Sequence, residues 1–318
     1  TGGTVNLSDL ISSNVLPSTQ LVGPVDVYVN GTLNIDVQYK FNNCSFYMEE
    51  GSQIVNSYNG SSGQFWLVNS FLYGCDHMWK GIVNHGKMLF YNNEVYDAEY
   101  GLRIDGSTLN YIYSNLFDAC YIGIYADNAT SQTINHDIRY NSYKCTYLLK
   151  DPYSGQQNYP DNFNNANIPD RISYAGIALR NTLVLKVSHE IYEGTRNGII
   201  MNAGVVDAQY CAFTDLVGDN VDFTNVSVSL NESGIGIYQI EDIRGKRRFC
   251  NFTNVYFGDF LSGKFGNIYG SLDYYKCNYT DIRKEGLNAS GIYINLTGKM
   301  DLTIDDCDFL NTIRGITM

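Results

Sequence analysis

Apolar and polar residues alternate in short runs along the whole chain. Residues 300–304 alternate with the period of two that is typical of a half-buried strand. The alternation slips by one position at the polar pair Asp305-Asp306 and resumes at Cys307, and residues 37–46 slip in the same way. A slip at a polar pair predicts two short strands that meet at a bend and face one common interior.

Two short markers recur along the chain, with several neighbouring copies about 20 to 24 residues apart. Repeats of this length indicate a solenoid, in which each coil buries its apolar face against the next. The first marker is a glycine followed by an aliphatic residue, at Gly81, Gly101, Gly123, Gly176, Gly198, Gly236, Gly291 and Gly315. The second is a Cys-x-aromatic unit, which starts at Cys44, Cys211, Cys250, Cys277 and Cys307.

The repeats predict an all-β fold, a single-stranded right-handed parallel β-helix of about 11 to 13 coils. A leucine-rich repeat is excluded, because its motif and a helical stripe between the strands are both missing. We expect residues 1–36 to form an N-terminal entry or capping segment and residues 37–318 to form the coils. The C-terminal end is expected to be uncapped, as in a fragment of a longer chain. Interruptions near 150–172 and 219–233 are expected to be loop excursions, where function could reside.

Charge and motif content exclude several kinds of partner. The formal net charge is −12 and the isoelectric point is near 4.7, which argues against nucleic acid. No apolar run is long enough to cross a membrane, so we expect no membrane insertion. The chain has no C-x-x-C pair and no H-E-x-x-H motif, so we expect no metal and no cofactor.

The segment CDHMWKGIV, residues 75–83, concentrates side chains that could form a metal or catalytic site. It stands directly before a glycine marker, however, and His77 has no partner at ligand spacing. We therefore interpret it as the corner of a coil that Met78 or Trp79 fills.

A longer stretch around this corner resembles a known group of proteins. GCDHMWKGIVNHGKMLFYNNEVYDAEYGLRIDGSTLNYIYSNLFDACYIGIY, residues 74–125, is similar to the right-handed β-helix repeat regions of large secreted surface proteins from gliding and related bacteria. These regions have the pectate-lyase-like superfold. The resemblance implies an extracellular or cell-surface protein, often delivered by type IX secretion, and does not imply one activity.

Two functions are compatible with this fold. The first, which we favour from the sequence, is a non-catalytic structural or adhesive surface protein that contacts surface glycans or other copies of itself. The alternative is a polysaccharide lyase or glycoside hydrolase that acts in a groove along one parallel sheet. The sequence motifs of polygalacturonases and pectate lyases are absent, and an acidic chain is a poor host for polyuronates.

One exposed strand face carries the best ligand-binding candidates. If Ile82, Leu102 and Ile124 point inward, the residues that follow them point outward and stack from coil to coil, about 4.8 Å apart. A solvated face with an ion pair between Arg103 and a nearby aspartate is the simpler interpretation. The candidates are His85, Arg103, Asp105, Tyr125 and Asp127.

The repeat cysteines stand at an inward position that Asn or Glu takes in other coils. We therefore expect Cys44, Cys211, Cys250, Cys277 and Cys307 to be mostly buried free thiols, although secretion would favour disulfides. The pairs Cys250–Cys277 and Cys277–Cys307 should lie on neighbouring coils, within reach of a disulfide.

Overall fold

The structure is a computed structural model of the chain, and it describes most of the 318 residues. The described residues are 2–60, 64–105, 110–127, 137–154, 171–180, 184–216, 234–241, 243–264, 270–282, 289–297 and 300–318. The predicted excursion at 219–233 lies outside them, as does most of the excursion at 150–172.

The strands stack in three parallel rows, and each coil between residues 53 and 310 contributes one strand to each row. Row 1 contains β1 (Thr4–Asn6), β3 (Thr32–Ile35), β5 (Gln53–Asn56), β8 (Trp79–Asn84), β11 (Ala98–Ile104), β14 (Ile122–Asp127), β17 (Ala175–Arg180), β20 (Asn197–Asn202), β23 (Ile235–Ile240), β26 (Phe257–Lys264), β29 (Ser290–Thr297) and β32 (Arg314–Thr317). The long strands β2 (Gln20–Val29) and β4 (Lys40–Met48) begin both other rows.

Rows 2 and 3 continue from β4 and are made of shorter strands. Row 2 contains β6 (Phe65–Val68), β9 (Met88–Tyr91), β12 (Asn110–Tyr113), β15 (Asp137–Arg139), β18 (Val184–Ser188), β21 (Val205–Gln209), β24 (Arg244–Arg248), β27 (Gly270–Tyr275) and β30 (Met300–Asp305). Row 3 contains β7 (Phe71–Gly74), β10 (Glu94–Tyr96), β13 (Leu116–Asp118), β16 (Ser142–Lys144), β19 (Ile191–Glu193), β22 (Ala212–Thr214), β25 (Asn251–Thr253), β28 (Asn278–Thr280) and β31 (Asp308–Leu310).

The strand order confirms the predicted parallel β-helix. Row 1 holds twelve strands among the described residues, which matches the expected number of coils. Strand pairing is parallel throughout the described rows; β14, for example, pairs with β11 on one side and β17 on the other. Residues of one coil therefore lie beside the equivalent residues of the next coil.

A single left-handed residue makes the bend between rows 2 and 3. Its φ lies between 52° and 61° in the ten coils from β4 onward in which the bend is described. One residue in this conformation turns the chain and shifts the alternation by one position, which confirms the predicted bends at the polar pairs. The residues are Asn43, Asn69, Asn92, Ser114, Tyr140, His189, Tyr210, Phe249, Lys276 and Asp306.

The residue after each bend points inward and forms a polar column. The Asn115 side-chain oxygen accepts the backbone N–H of Asn93 at 2.9 Å, and Asn141 repeats the contact with Asn115 at 2.9 Å. Glu190 ends this run by accepting the N–H of Asn141 at 3.2 Å. Side chains of this column thus satisfy backbone donors that the turning chain leaves free.

Cysteines occupy the same column in other coils. All eight cysteines of the chain are free thiols. Cys44, Cys211, Cys250 and Cys277 are buried, and Cys307 is partly exposed. This agrees with the predicted packing role.

The two sequence markers pack against each other inside the helix. A Cβ atom on Gly123 would lie 2.5 Å from a ring carbon of Tyr143 and 2.6 Å from the carbonyl oxygen of Gly176, so the position accepts only glycine without rearrangement. The aromatic residues form one continuous column with centroids 4.6 to 5.4 Å apart: Phe117, Tyr143, Tyr192, Phe213, Phe252, Tyr279 and Phe309.

The N-terminal segment already takes part in the rows. The short helix α1 (Leu7–Ser12) buries Leu7, while β1 pairs with β3 and β2 pairs with β4. The boundary at residue 36 remains a prediction. No helix in the described parts of the chain is long and apolar enough to cross a membrane.

The CDHMWKGIV segment forms a corner, as the sequence predicted. Trp79 is fully buried, and its indole N–H donates to the carbonyl oxygen of Tyr96 at 2.8 Å. Met78 is also buried, and His77 is half-exposed. The described residues hold no group of three or more His, Cys, Asp or Glu side chains that could bind a metal.

Candidate functional site

The outer face of row 1 is apolar and buried in the middle of the helix. Tyr125, Ala178, Ile200, Tyr238 and Phe260 follow one another along this face, and each is at most 4% exposed. They belong to a second apolar cluster, separate from the interior of the helix. The simpler sequence interpretation, a solvated sheet face with an ion pair, holds for Arg103, which is 43% exposed and pairs with Asp105, whereas Tyr125 on the next coil is buried.

The structure stacks Arg103 and Tyr125 as predicted and places the other candidates at the strand ends. Arg103 pairs with Tyr125 in register, and its Nε donates to Oδ1 of Asp105 at 2.9 Å. The exposed ring of His85 lies 3.2 Å from the Asp105 carbonyl oxygen, through Nδ1. The phenol of Tyr125 donates to Oδ2 of Asp127 at 3.4 Å. The five candidates thus occupy one region, at β8, β11 and β14.

Glu99 is the titratable group in this region that the sequence analysis missed. It is half-buried on β11, and burial raises the pKa of its carboxyl to about 7. The neighbouring phenol of Tyr153 and the positive charges of Lys80 and Arg103 act in the opposite direction. Its Oε2 atom is buried without a hydrogen-bond partner. A carboxyl group in this state is close to half-ionised at neutral pH, as a proton-transfer group should be.

The segment 145–154 brings Tyr153 to this carboxyl. It leaves row 3 after β16 and runs back along the outside of the helix across earlier coils. Lys150 fastens it there through an ion pair of 2.9 Å to the buried Asp97 and a 2.7 Å hydrogen bond to the carbonyl oxygen of Gly74. The backbone N–H of Met78 donates to the Asp151 carbonyl oxygen at 3.0 Å. This is the described beginning of the predicted excursion at 150–172.

Tyr153 completes a small mixed cluster. The centroid of its ring lies 5.4 Å from the Lys80 ammonium, and its phenol lies beside the Glu99 carboxyl. Burial and the neighbouring Glu99 raise the pKa of the Tyr153 phenol, so it stays protonated and can donate. The cluster therefore combines a carboxyl that titrates near neutrality, two cations and phenolic donors on one face of the helix.

Comparison with known proteins identifies the fold. No family model matches the chain, and no curated protein sequence matches it. Two solved structures of mutants of the periplasmic alginate epimerase AlgG are similar. One has a TM-score of 0.51 at 11% identity and covers 100% of this chain and 84% of that chain. The other has a TM-score of 0.50 at 10% identity and covers 99% and 84%. At this identity the likeness shows the right-handed parallel β-helix fold.

The comparison corrects the functional prediction. We favoured a non-catalytic adhesive surface protein, but the similar structures belong to an enzyme that epimerises alginate, which is a polysaccharide. The finding favours the alternative from the sequence analysis, an enzyme that acts on a polysaccharide along one parallel sheet. Missing motifs of two enzyme families were a weak reason to exclude catalysis, because the same fold carries other chemistries.

Proposed function

We propose that this protein is an enzyme that acts on an acidic polysaccharide by moving the proton on the carbon next to a uronate carboxylate. The observation that carries the proposal is the Glu99 carboxyl, whose pKa is about 7 and which lies beside the cations Lys80 and Arg103. A carboxylate can act as the base, and a cation beside the substrate carboxylate stabilises the negative charge that develops when the C–H bond breaks.

The first step is the same for two possible outcomes. Glu99 accepts the proton, and the electron pair of the C–H bond moves toward the uronate carboxylate. Return of a proton to the opposite face of that carbon gives the epimer, whereas expulsion of the neighbouring glycosidic oxygen gives an unsaturated product. Tyr153 is the phenolic donor beside Glu99 that could supply the proton.

The geometry favours this class over glycoside hydrolysis. Hydrolysis needs two carboxyl groups that flank the scissile bond, one of them kept protonated. Here Asp105 already accepts a hydrogen bond from Arg103, and among the candidate residues Glu99 alone has a carboxyl pKa raised to about 7. Lys80 and Arg103 also provide local positive charge, which offsets the objection that an acidic chain is a poor host for polyuronates.

Export from the cytoplasm is part of the proposal, because polysaccharides of this kind lie outside the cell. The similar enzyme AlgG is periplasmic. Surface glycans, expected from the sequence as partners, are here proposed as substrate. Delivery by the type IX route remains a prediction from the resemblance, and deletion of that secretion system in a host should test it by retaining the protein inside the cell.

Isotope exchange tests the proposed chemistry. The full chain is incubated in D2O with a panel of polyuronates, and proton NMR follows deuterium entry beside the carboxylate, while ultraviolet absorbance reports unsaturated products. We expect one of these signals with at least one polyuronate, and Glu99→Gln should lower its rate about a hundredfold or more. The control is Glu193→Gln, an exposed carboxyl on row 3 paired with Lys144. Absence of both signals on every polyuronate, or a full rate in Glu99→Gln, would contradict the proposal.

A further inference from the structure

A second polar surface lies on row 2, away from the Glu99 region. The outward side chains of β18, β21 and β24 line a concave pocket of about 420 Å³ that also reaches β15. Rows 1 and 2 face the same interior, so their outer faces point to different sides of the helix. A ligand bound in this pocket would therefore lie outside the site around Glu99.

Cations outnumber free carboxylates in this pocket. Lys186, Lys246 and Arg248 are exposed, and none forms an ion pair within 4 Å in the described part of the chain. Asp137 pairs with Arg139 at 3.0 Å. Asp207 lies in register between Lys186 and Lys246 and keeps its charge while it accepts the backbone N–H of Lys246 at 3.0 Å. The pocket therefore presents a net positive charge on a protein whose net charge is −12.

A ladder of four rings borders this pocket along the bend. Tyr140, His189, Tyr210 and Phe249 stack from coil to coil with centroids 4.6 to 4.8 Å apart and planes within 23° of each other. The ring faces cover one another, so most of the ladder offers solvent only ring edges. The edges carry phenol hydroxyl groups and an imidazole, which are hydrogen-bonding groups.

The exposed ring edges of this ladder fit an acidic glycan better than single-stranded nucleic acid. Single-stranded nucleic acid binds such proteins by stacking its bases on exposed ring faces, and this ladder leaves those faces covered. A chain of sugars needs hydrogen-bonding groups for its hydroxyls and cations for its carboxylates. Ser188 and Gln209, which line the pocket between the cations, add two further hydrogen-bonding side chains. Charge and hydrogen-bonding chemistry both fit an acidic glycan.

We infer that Lys186, Lys246 and Arg248 form a binding site for the carboxylates of an acidic polysaccharide, separate from the site around Glu99. Lys186 and Lys246 lie two coils apart, or about 10 Å along the helix axis. An extended glycan that runs along this axis meets the cations in succession. The site holds the polymer without performing chemistry on it, so its existence does not depend on the proposed reaction.

Binding measurements on a charge-matched pair of variants test the inference. The site variant carries Lys186→Gln, Lys246→Gln and Arg248→Gln. The control carries Lys40→Gln, Lys87→Gln and Arg314→Gln and loses the same charge outside the pocket. Calorimetry with a size-defined oligouronate should give a Kd at least about tenfold higher for the site variant than for the native protein. The Kd of the control should stay within about twofold of the native value. Circular dichroism checks that both variants are folded, and Lys186→Gln alone should give part of the loss.

Three results would overturn the inference. The first is unchanged oligouronate binding in the site variant. The second is an equal loss in both variants, which would mean a response to net charge alone. The third is tighter binding of a neutral oligosaccharide or of oligothymidylate than of the oligouronate. Turnover reports on Glu99, which both variants retain, whereas the difference in oligouronate affinity between the site variant and the control reports on the pocket, so failure of either idea is visible without the other.

Discussion

The phenol of Tyr153 lies beside the carboxyl of Glu99 and lowers the pKa of that carboxyl, although the two residues belong to different coils. Glu99 lies on a strand of row 1, whereas Tyr153 arrives on a segment that crosses the outside of the helix and is fastened by Lys150. The regular coils therefore supply a rigid face, and an irregular segment adds the group that completes the cluster. This division is common in repeat proteins whose function resides in insertions.

Activity should rise with pH through about 7. The Glu99 carboxyl has a pKa of about 7, and its ionised form is the proposed base, so kcat/KM is expected to increase as that form accumulates. Lys80 lowers this pKa by its positive charge, and Lys80→Met should therefore move the rise to higher pH. The control is Lys87→Met at the turn after β8. A shift of the Lys80→Met profile to lower pH would contradict the assignment.

Tyr153→Phe should separate the role of the phenol from simple packing. The phenol of Tyr153 lowers the pKa of Glu99 and so favours its ionised form, and loss of the phenol should therefore raise the carboxyl pKa. We expect lower activity at neutral pH that recovers at alkaline pH, measured as a pH profile of kcat/KM. A uniform loss at every pH would assign the phenol to proton donation instead, and an unchanged profile would remove Tyr153 from the site.

The sequence predicted the fold because its two markers report one repeated local contact. From Gly101 onward, a glycine in each described coil faces the ring of an aromatic residue, as Gly123 faces Tyr143, and this repeated contact gives the sequence its period. The inward column of Asn and Cys residues has the same origin. Contacts that repeat from coil to coil leave a signal in a single sequence.

The site around Glu99 left a weaker signal because it depends on contacts that occur once. Residues 145–154 lie outside the repeat and follow no periodic sequence pattern, so the sequence could not place Tyr153 beside Glu99. The sequence does contain one signal of the covered outer face. Residues 198–201, Gly-Ile-Ile-Met, are apolar at consecutive positions, a pattern typical of a strand buried on both faces. This pattern indicates that the outer face of row 1 is covered.

Gly123→Ala should destabilise the helix at its centre. The new methyl group would meet the Tyr143 ring and the Gly176 carbonyl oxygen within 2.6 Å, which forces the coils apart. Overpacking of this kind costs about 1–3 kcal/mol of the free energy of unfolding. Gly315→Ala is a matched control, because its methyl group would lie 3.5 Å from the Phe309 ring, an ordinary contact. Urea unfolding of both variants gives the comparison, and equal stability of the two would contradict the packing account.

Glu190 should make stability depend on pH, because it is the one acidic residue in a column of neutral side chains. Burial raises the pKa of its carboxyl from 4.5 to about 8, even though it accepts hydrogen bonds from Asn141. The folded state therefore keeps a proton that the unfolded chain releases above pH 4.5. The contribution to stability is complete below pH 4.5 and is lost as pH rises through about 8.

Glu190→Gln should remove this dependence. The amide keeps an oxygen for the Asn141 N–H and has no charge to bury. Between pH 5 and pH 8 the free energy of unfolding of the native protein should fall relative to the variant by up to about 1.4 kcal/mol per pH unit, on the order of 4 kcal/mol in total. Urea unfolding across this range measures the difference. The control is Glu193→Gln, whose side chain is 47% exposed, and it should leave the slope unchanged. Parallel pH profiles for the native protein and Glu190→Gln would mean that Glu190 is already ionised in the folded state, with its charge balanced inside the column.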